Sequence, residues 1–320
     1  MINMKRIVVL DAGTLGDDLS LAPLEAEGEV VVYRTSPSET VKERIAGADA
    51  VILNKVKIGE DQLPDREAAP KIICIAATGY DNIDLAACRK RGVAVANVKG
   101  YSSDSVAQVT VGLVLNLVCR LPAYCRATAD GSYTNGGNAN LLTPVYHEVA
   151  GMTWGVVGAG KIGSRVADVA RAFGCRVLTN RRTPDGVSVD LATLFRESDI
   201  VTVHTPLTPE TRGLIGEREL AMMKDGAILV NMARGAVTDE AAVAAAVVSG
   251  KLGGLGCDVY STEPFPATHP YYAIRDRENV LLTPHMSWGA YEARARCLNE
   301  MILNMRACFA GEMRNRVDVE

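Results

Sequence analysis

Thr153-Trp154-Gly155-Val156-Val157-Gly158-Ala159-Gly160-Lys161-Ile162-Gly163 is the stretch that decides the fold. Trp154 to Val157 reads as a buried strand, and it leads directly into Gly158-x-Gly160-x-x-Gly163. The apolar positions Ile162, Val166, Val169, Ala170 and Phe173 then recur on one helical face, and Gly174 supplies a stop. A glycine triplet alone is weak evidence. Strand, loop and helix in this order make it specific. The first glycine permits the tight turn, the second lets backbone approach a pyrophosphate, and the third lets helix and strand pack closely. The helix N-terminus favours the negative charge. Gly158, Gly160, Lys161, Ile162 and Gly163 are therefore expected to cradle a dinucleotide.

The next strand, Arg176 to Asn180, ends in Arg181-Arg182. Arg181 stands 18 positions after Gly163, where an NAD-binding unit usually carries an acid for the ribose 2′-hydroxyl. A carboxylate would repel a 2′-phosphate, whereas a guanidinium binds it through charged hydrogen bonds. Asn180, Arg181 and Arg182 thus point to NADP, with NAD still possible if the arginines are merely solvated.

Outward from the loop, short β-rich runs alternate with helical stretches, the pattern of an α/β protein with parallel sheets. Strands are expected at 6–10, 30–33, 50–53, 72–76 and 94–98, and again at 153–157, 176–180, 200–204, 227–231, 254–259 and 280–282. Two doubly wound parallel-sheet units follow. A helix over about 104–121 is apolar nearly all round and should be buried, with Ser105 or Asp104 capping its start. Residues 130–142, rich in Gly and Asn, read as an exposed loop. Residues 290–311 form a last helix that could return to the first unit. The expected domains are 1–99 with 290–320, and 100–289.

At 320 residues the chain is long enough for two domains. Its net charge of −4 shows no basic block, so neither nucleic acid nor an anionic membrane is an expected partner. The eight cysteines include no Cys-x-x-Cys pair and read as reduced thiols in the cytoplasm, with no metal site. The N-terminus reads as a strand and carries no signal-peptide pattern.

Three further strand ends carry chemistry: Asn231-Met232-Ala233-Arg234-Gly235, Asp258-Val259-Tyr260-Ser261-Thr262-Glu263-Pro264 and Thr283-Pro284-His285. Ligands of open α/β sheets bind at such ends, and a histidine is the natural proton donor near neutral pH. These blocks, in this order after the glycine loop, resemble the D-isomer-specific 2-hydroxyacid dehydrogenase family over essentially the whole chain. The resemblance is nearest to the glycerate dehydrogenase branch, which includes hydroxypyruvate and glyoxylate reductases. It is carried there by Asn54-Lys55-Val56, 77–84 and 100–108.

The resemblance implies a Rossmann nucleotide domain, a flavodoxin-like substrate domain and a homodimer to which the 104–121 helix contributes. It implies hydride transfer between NAD(P)H and C2 of a small 2-keto or 2-hydroxy acid. Arg234 would grip the substrate carboxylate, His285 would donate the proton, and Glu263 would hold the imidazole and favour its charged form. Asn54 and the backbone of Thr78, Gly79 and Tyr80 would bind substrate. His204-Thr205-Pro206 would line the cofactor, with Ala233 beside it and Asp258 bonding the nicotinamide amide. His147 and His269 are expected at the surface. Two alternatives stand beside this reading: a D-3-phosphoglycerate or other 2-ketoacid dehydrogenase, and a dinucleotide-sensing co-repressor without activity.

Overall fold

The strands form where β-branched and aliphatic residues run on without polar alternation, as strands covered on both faces require. Ala50–Leu53, Ile72–Ile75 and Thr153–Val157 are buried at every position. The computed structural model describes residues 4–183 and 186–319. Met1 to Asn3 and Glu320, which the expected domain limits include, lie outside the described residues.

The chain divides into two units, Met1–Ser102 with Gly289–Glu320, and Ser103–Trp288. Residues 100–102 and 289 therefore fall with the first unit, where the expectation had put them in the second. Hydrogen bonds explain the shift. Arg296 on the C-terminal helix, Tyr291–Phe309, donates twice to the Tyr101 carbonyl, and Arg294 donates to that of Gly289.

The first unit carries β1 (Arg6–Val9), β2 (Glu29–Val32), β3 (Ala50–Leu53), β4 (Ile72–Ile75) and β5 (Ala94–Ala96) in one sheet of order β2-β1-β3-β4-β5. All pairs are parallel. Helix α1 (Ser38–Ile45) links β2 to β3, and α2 (Leu85–Arg91) links β4 to β5. Helix α2 starts at Leu85 because Asp84 is its cap, accepting from the Ala87 amide at 3.0 Å. Gly92, at φ 73°, ends it. The C-terminal helix packs on β4 and β5.

In the second unit α3 (Ser103–Val118), α4 (Leu121–Ala129) and α5 (Ser132–Asn135) precede a six-stranded parallel sheet. Its strands are β6 (Thr153–Val157), β7 (Arg176–Asn180), β8 (Ile200–Val203), β9 (Ala227–Asn231), β10 (Leu252–Cys257) and β11 (Val280–Leu282). The order is β11-β10-β9-β8-β6-β7, so among the described residues a single strand, β7, lies outside β6. Helices α6 (Lys161–Ala172), α7 (Leu191–Glu197), α8 (Glu217–Met222) and α9 (Glu240–Ser249) cover it. Both units thus repeat one 2-1-3-4-5 plan, which places a ligand crevice where the chain reverses direction across the sheet.

Three local expectations change. The helix foreseen over 104–121 stops at Val118. Arg120 takes a left-handed φ of 53°, and Pro122 opens a new helix. Ser105 does not cap α3. It lies inside the helix, buried, and donates to the Ser287 carbonyl. The segment 130–142 contains the short α5, although its surroundings are exposed as expected. Helix α3 packs on α6, β9 and β10, so its apolar composition is that of a core helix. Among the described residues no single helix is long and apolar enough to cross a membrane.

Candidate active site

The glycine loop shows which of its glycines the fold itself requires. A side chain at Gly158, whose φ is +87°, would strike the Thr205 backbone nitrogen at 2.6 Å. One at Gly163 would strike the Gly158 carbonyl at 2.4 Å. Gly160, the N-cap of α6, faces open space instead. Protein packing does not explain it, whereas the close approach of a pyrophosphate does. The amides of Gly158 and Ala159 both donate to the Asn180 carbonyl, which fixes the loop against the end of β7. Arg181 is exposed and donates to Ser164 in the first turn of α6 at 3.1 Å; Arg182 is exposed beside it. These residues fit a dinucleotide. Phe173, read as part of the buried face of α6, is its C-cap and is exposed, because the helix ends at Ala172.

His204 follows β8, and its amide donates to Val157 at 2.7 Å. Both ring nitrogens are buried and have no partner among the described residues. Burial pushes the imidazole down to about 3, so it is neutral and cannot serve as a proton donor near pH 7. Thr205 is half-buried and Pro206 exposed beside it.

After β9, buried Asn231 shapes the turn. Its carboxamide oxygen accepts from the Ala233 amide at 3.0 Å, and its nitrogen donates to the Arg234 carbonyl at 3.0 Å. Arg234 is half-buried and donates to the Ala233 carbonyl at 2.9 Å. It makes no ion pair among the described residues, so its guanidinium is available to a ligand. Gly235 is obligatory here: a side chain would overlap the backbone of Tyr260 and Ser261.

The loops after β10 and β11 bring the remaining groups together. His285 Nδ1 lies 2.6 Å from Glu263, whose other oxygen accepts from the Tyr260 amide at 3.0 Å. His285 Nε2 has no partner among the described residues, and the ring is partly exposed. The backbone at His285 has φ 53°, a left-handed conformation that is uncommon outside glycine and collects at functional sites. Asp258 holds this loop. Fully buried, it accepts from Thr283 Oγ1 at 2.6 Å and from the amides of Met286 and Ser287 at 2.9 and 3.0 Å. The structure therefore gives Asp258 a positioning role that its reading as a nicotinamide contact did not foresee.

His269 corrects an expectation outright. It is buried, with Nε2 2.8 Å from Glu240 and Nδ1 accepting from the Tyr271 amide at 3.2 Å. Glu240 also accepts from the amide and hydroxyl of Ser261, in the loop that carries Glu263. Tyr260, Phe265 and Tyr271 pack around the His269 ring. His147 is exposed, as expected. Among the described residues no cluster could hold a metal.

In the first unit Asn54 follows β3, with its amide on Asp11 at 2.9 Å and its carboxamide on Thr14 at 3.1 Å. Thr78 donates from its hydroxyl to Val98 at 2.8 Å. The amides of Gly79 and Tyr80 have no acceptor among the described residues, and the Tyr80 side chain is exposed.

Residues 111–287 match the profile of the D-isomer specific 2-hydroxyacid dehydrogenase NAD binding domain. The chain is 34% identical to a glycerate dehydrogenase of Methylorubrum extorquens, with 98% of this chain and 99% of that one covered. It is 32% identical to a hydroxypyruvate reductase of Blautia hydrogenotrophica, again covering 98% and 99%. The crystal structure of the TT0316 protein from Thermus thermophilus superposes with a TM-score of 0.84 at 33% identity, over 98% and 99% of the two chains. The chain belongs to the D-isomer-specific 2-hydroxyacid dehydrogenase family. It is an oxidoreductase with a dinucleotide-binding domain.

Proposed function

We propose that this enzyme interconverts a small 2-keto acid and its D-2-hydroxy acid, with hydroxypyruvate or glyoxylate as substrate and NADPH as the preferred reductant. The observation that carries the reading is the Glu263–His285 pair: a 2.6 Å contact on one ring nitrogen leaves the other open at a loop that Asp258 holds rigid. The dinucleotide, when bound, supplies the hydride that reaches C2. On this reading Arg234 and the amides of Thr78, Gly79 and Tyr80 would bind the substrate carboxylate, with Asn54 as a further substrate contact. Arg234 also polarises the C2 carbonyl. His285 gives the proton on Nε2 to the C2 oxygen, and Glu263 stabilises the imidazolium before transfer. Gly158, Gly160, Lys161, Ile162 and Gly163 would cradle the pyrophosphate, Asn180, Arg181 and Arg182 would meet the adenosine ribose, and His204, Thr205, Pro206, Ala233 and Asp258 would line the remainder.

The preference for NADPH rests on Arg181, exposed and tied to the first turn of α6. Eight free cysteines suit a reducing cytoplasm. Exposed Leu121, Tyr133, Leu142, Val145 and Tyr146 suit a face covered by a second copy, with no nucleic acid or membrane as partner.

A steady-state screen of hydroxypyruvate, glyoxylate, pyruvate and phosphohydroxypyruvate with both cofactors tests the proposal. The highest kcat/KM is expected for hydroxypyruvate or glyoxylate with NADPH. No oxidation of either cofactor by any of the four, with dinucleotide still bound, would favour the sensing protein.

A further inference from the structure

The loop that carries Thr78, Gly79 and Tyr80 is tied to residues more than 200 positions later in the first unit. Thr78 donates from its hydroxyl to the Val98 carbonyl, and the Val98 amide donates to the Ala77 carbonyl at 3.0 Å. Beside them, Asn97 Nδ2 donates to the Thr78 carbonyl at 2.7 Å. Asn97 is 1% exposed and stands just after β5.

Asn97 is itself held on both sides. Its amide donates to the Asn315 carbonyl at 3.2 Å, and its carbonyl accepts from Asn304 Nδ2 at 3.1 Å. Asn304 lies buried on the C-terminal helix, and its side-chain oxygen accepts from Asn315 Nδ2 at 2.9 Å. Asn315 has φ 51°, a left-handed conformation that asparagine tolerates better than most residues. Beyond it Arg316 bridges to Ala96, and the Val317 amide donates to the Val95 carbonyl at 2.9 Å. Three asparagines thus lead from the segment after the C-terminal helix to one carbonyl of the loop.

That carbonyl matters because of the peptide bond. The Thr78 carbonyl and the Gly79 N–H belong to one planar trans unit and point in opposite directions. Holding the first therefore aims the second. Without a hold the plane could swing, since glycine permits nearly every φ. The Gly79 amide has no acceptor among the described residues. Asn97 Oδ1 is buried and also has no partner among them. A buried acceptor left unpaired is a cost, so the side chain is not placed to satisfy itself.

We infer that Asn97 is a positioning residue for the substrate carboxylate, aiming the Gly79 amide through the Thr78 peptide, and that Asn304 and Asn315 hold it in place. The inference rests on the proposed reaction, in which the Thr78–Tyr80 amides meet that carboxylate.

Asn97→Ala leaves the loop sequence intact and removes its anchor. The KM for the preferred 2-keto acid should rise about tenfold, with kcat and the KM for NADPH changed by about twofold at most. A hydrogen bond weakened equally in substrate and transition state raises KM and spares kcat. Ile45→Ala, a buried truncation on α1 of the same unit, should lower the melting temperature and leave both KM values unchanged. Asn315→Gly keeps the left-handed backbone and removes only the amide on Asn304. It should reproduce the split at about threefold, and it carries the test if Asn97→Ala does not fold. Hydrogen exchange of the Val98 amide gives a readout independent of turnover. It should be about tenfold faster in Asn97→Ala than in the parent and unchanged in Ile45→Ala. An unchanged KM for the 2-keto acid in the folded variants, an equal rise in both KM values, or unchanged Val98 exchange overturns the inference. A parent that turns over no 2-keto acid overturns the proposed reaction instead, and the exchange rates alone then decide whether Asn97 holds the loop.

Discussion

Among its described residues the second unit contains two imidazole–carboxylate pairs that look alike and are built for opposite purposes. His285 meets Glu263 at 2.6 Å and His269 meets Glu240 at 2.8 Å. The His269 ring has both nitrogens committed, one to Glu240 and one to the Tyr271 amide, and aromatic rings close around it. With Nδ1 accepting from an amide, Nε2 must carry the proton, so this ring is a neutral brace. The His285 ring commits one nitrogen, leaves the other open and stands on a left-handed backbone. A carboxylate beside a histidine therefore does not identify a proton donor. The nitrogen left uncommitted does.

The largest effect should come from breaking the open pair. His285→Ala should lower kcat by about 10³-fold with cofactor affinity and melting temperature nearly unchanged. Stopped-flow turnover and NADPH titration check this, and normal turnover would exclude His285 as donor. The closed pair should answer in the opposite way. His269→Ala removes one of the donors on buried Glu240 and opens a cavity among aromatic rings, which should cost about 3 kcal/mol of stability. Urea unfolding measures it. A variant that stays as stable as the parent but loses turnover would show that the two pairs are not divided as argued.

The open pair was legible in the sequence because its residues close strands whose apolar runs are unmistakable and whose order matches a known family. The glycine loop was legible for the same reason, through the switch from strand to helix periodicity. His269 gave no such signal. Its partner Glu240 lies 29 residues away, and a single histidine in a proline-bounded loop has no period. The aromatic neighbours Tyr260, Phe265 and Tyr271 were the hint that the loop folds inward. The break after Val118 was also missed, although Pro122 marks it, since proline is at ease only in a first helical turn. Asp258 was read toward a ligand because the resemblance offered one. Its three donors belong to a loop more than 20 residues later, which local sequence does not reveal.

His204 extends the comparison to a ring with neither a carboxylate nor any other partner among the described residues. Burial holds it far below the ordinary value of 6.5, at about 3. The unfolded chain therefore binds a proton between these values that the folded chain refuses. Its contribution to stability is complete above pH 6.5 and is lost progressively as pH falls towards 3. Urea midpoints at pH 7, 5 and 4 should fall in the parent and fall less steeply in His204→Leu. Parallel slopes would mean that the ring already finds a proton partner.

The smallest expected effect asks whether the same distinction governs cations. Arg181 donates to Ser164 at 3.1 Å and so is held near the first turn of α6. Arg182 is exposed next to it. If these groups await a 2′-phosphate, Arg181→Ala/Arg182→Ala should raise the KM for NADPH about tenfold while that for NADH changes little, because only the phosphorylated ribose loses charged hydrogen bonds. Steady-state titration of both cofactors reads the split. Equal changes would make the arginines solvated ends of β7, and the glycine loop would then bind either dinucleotide without regard to its ribose.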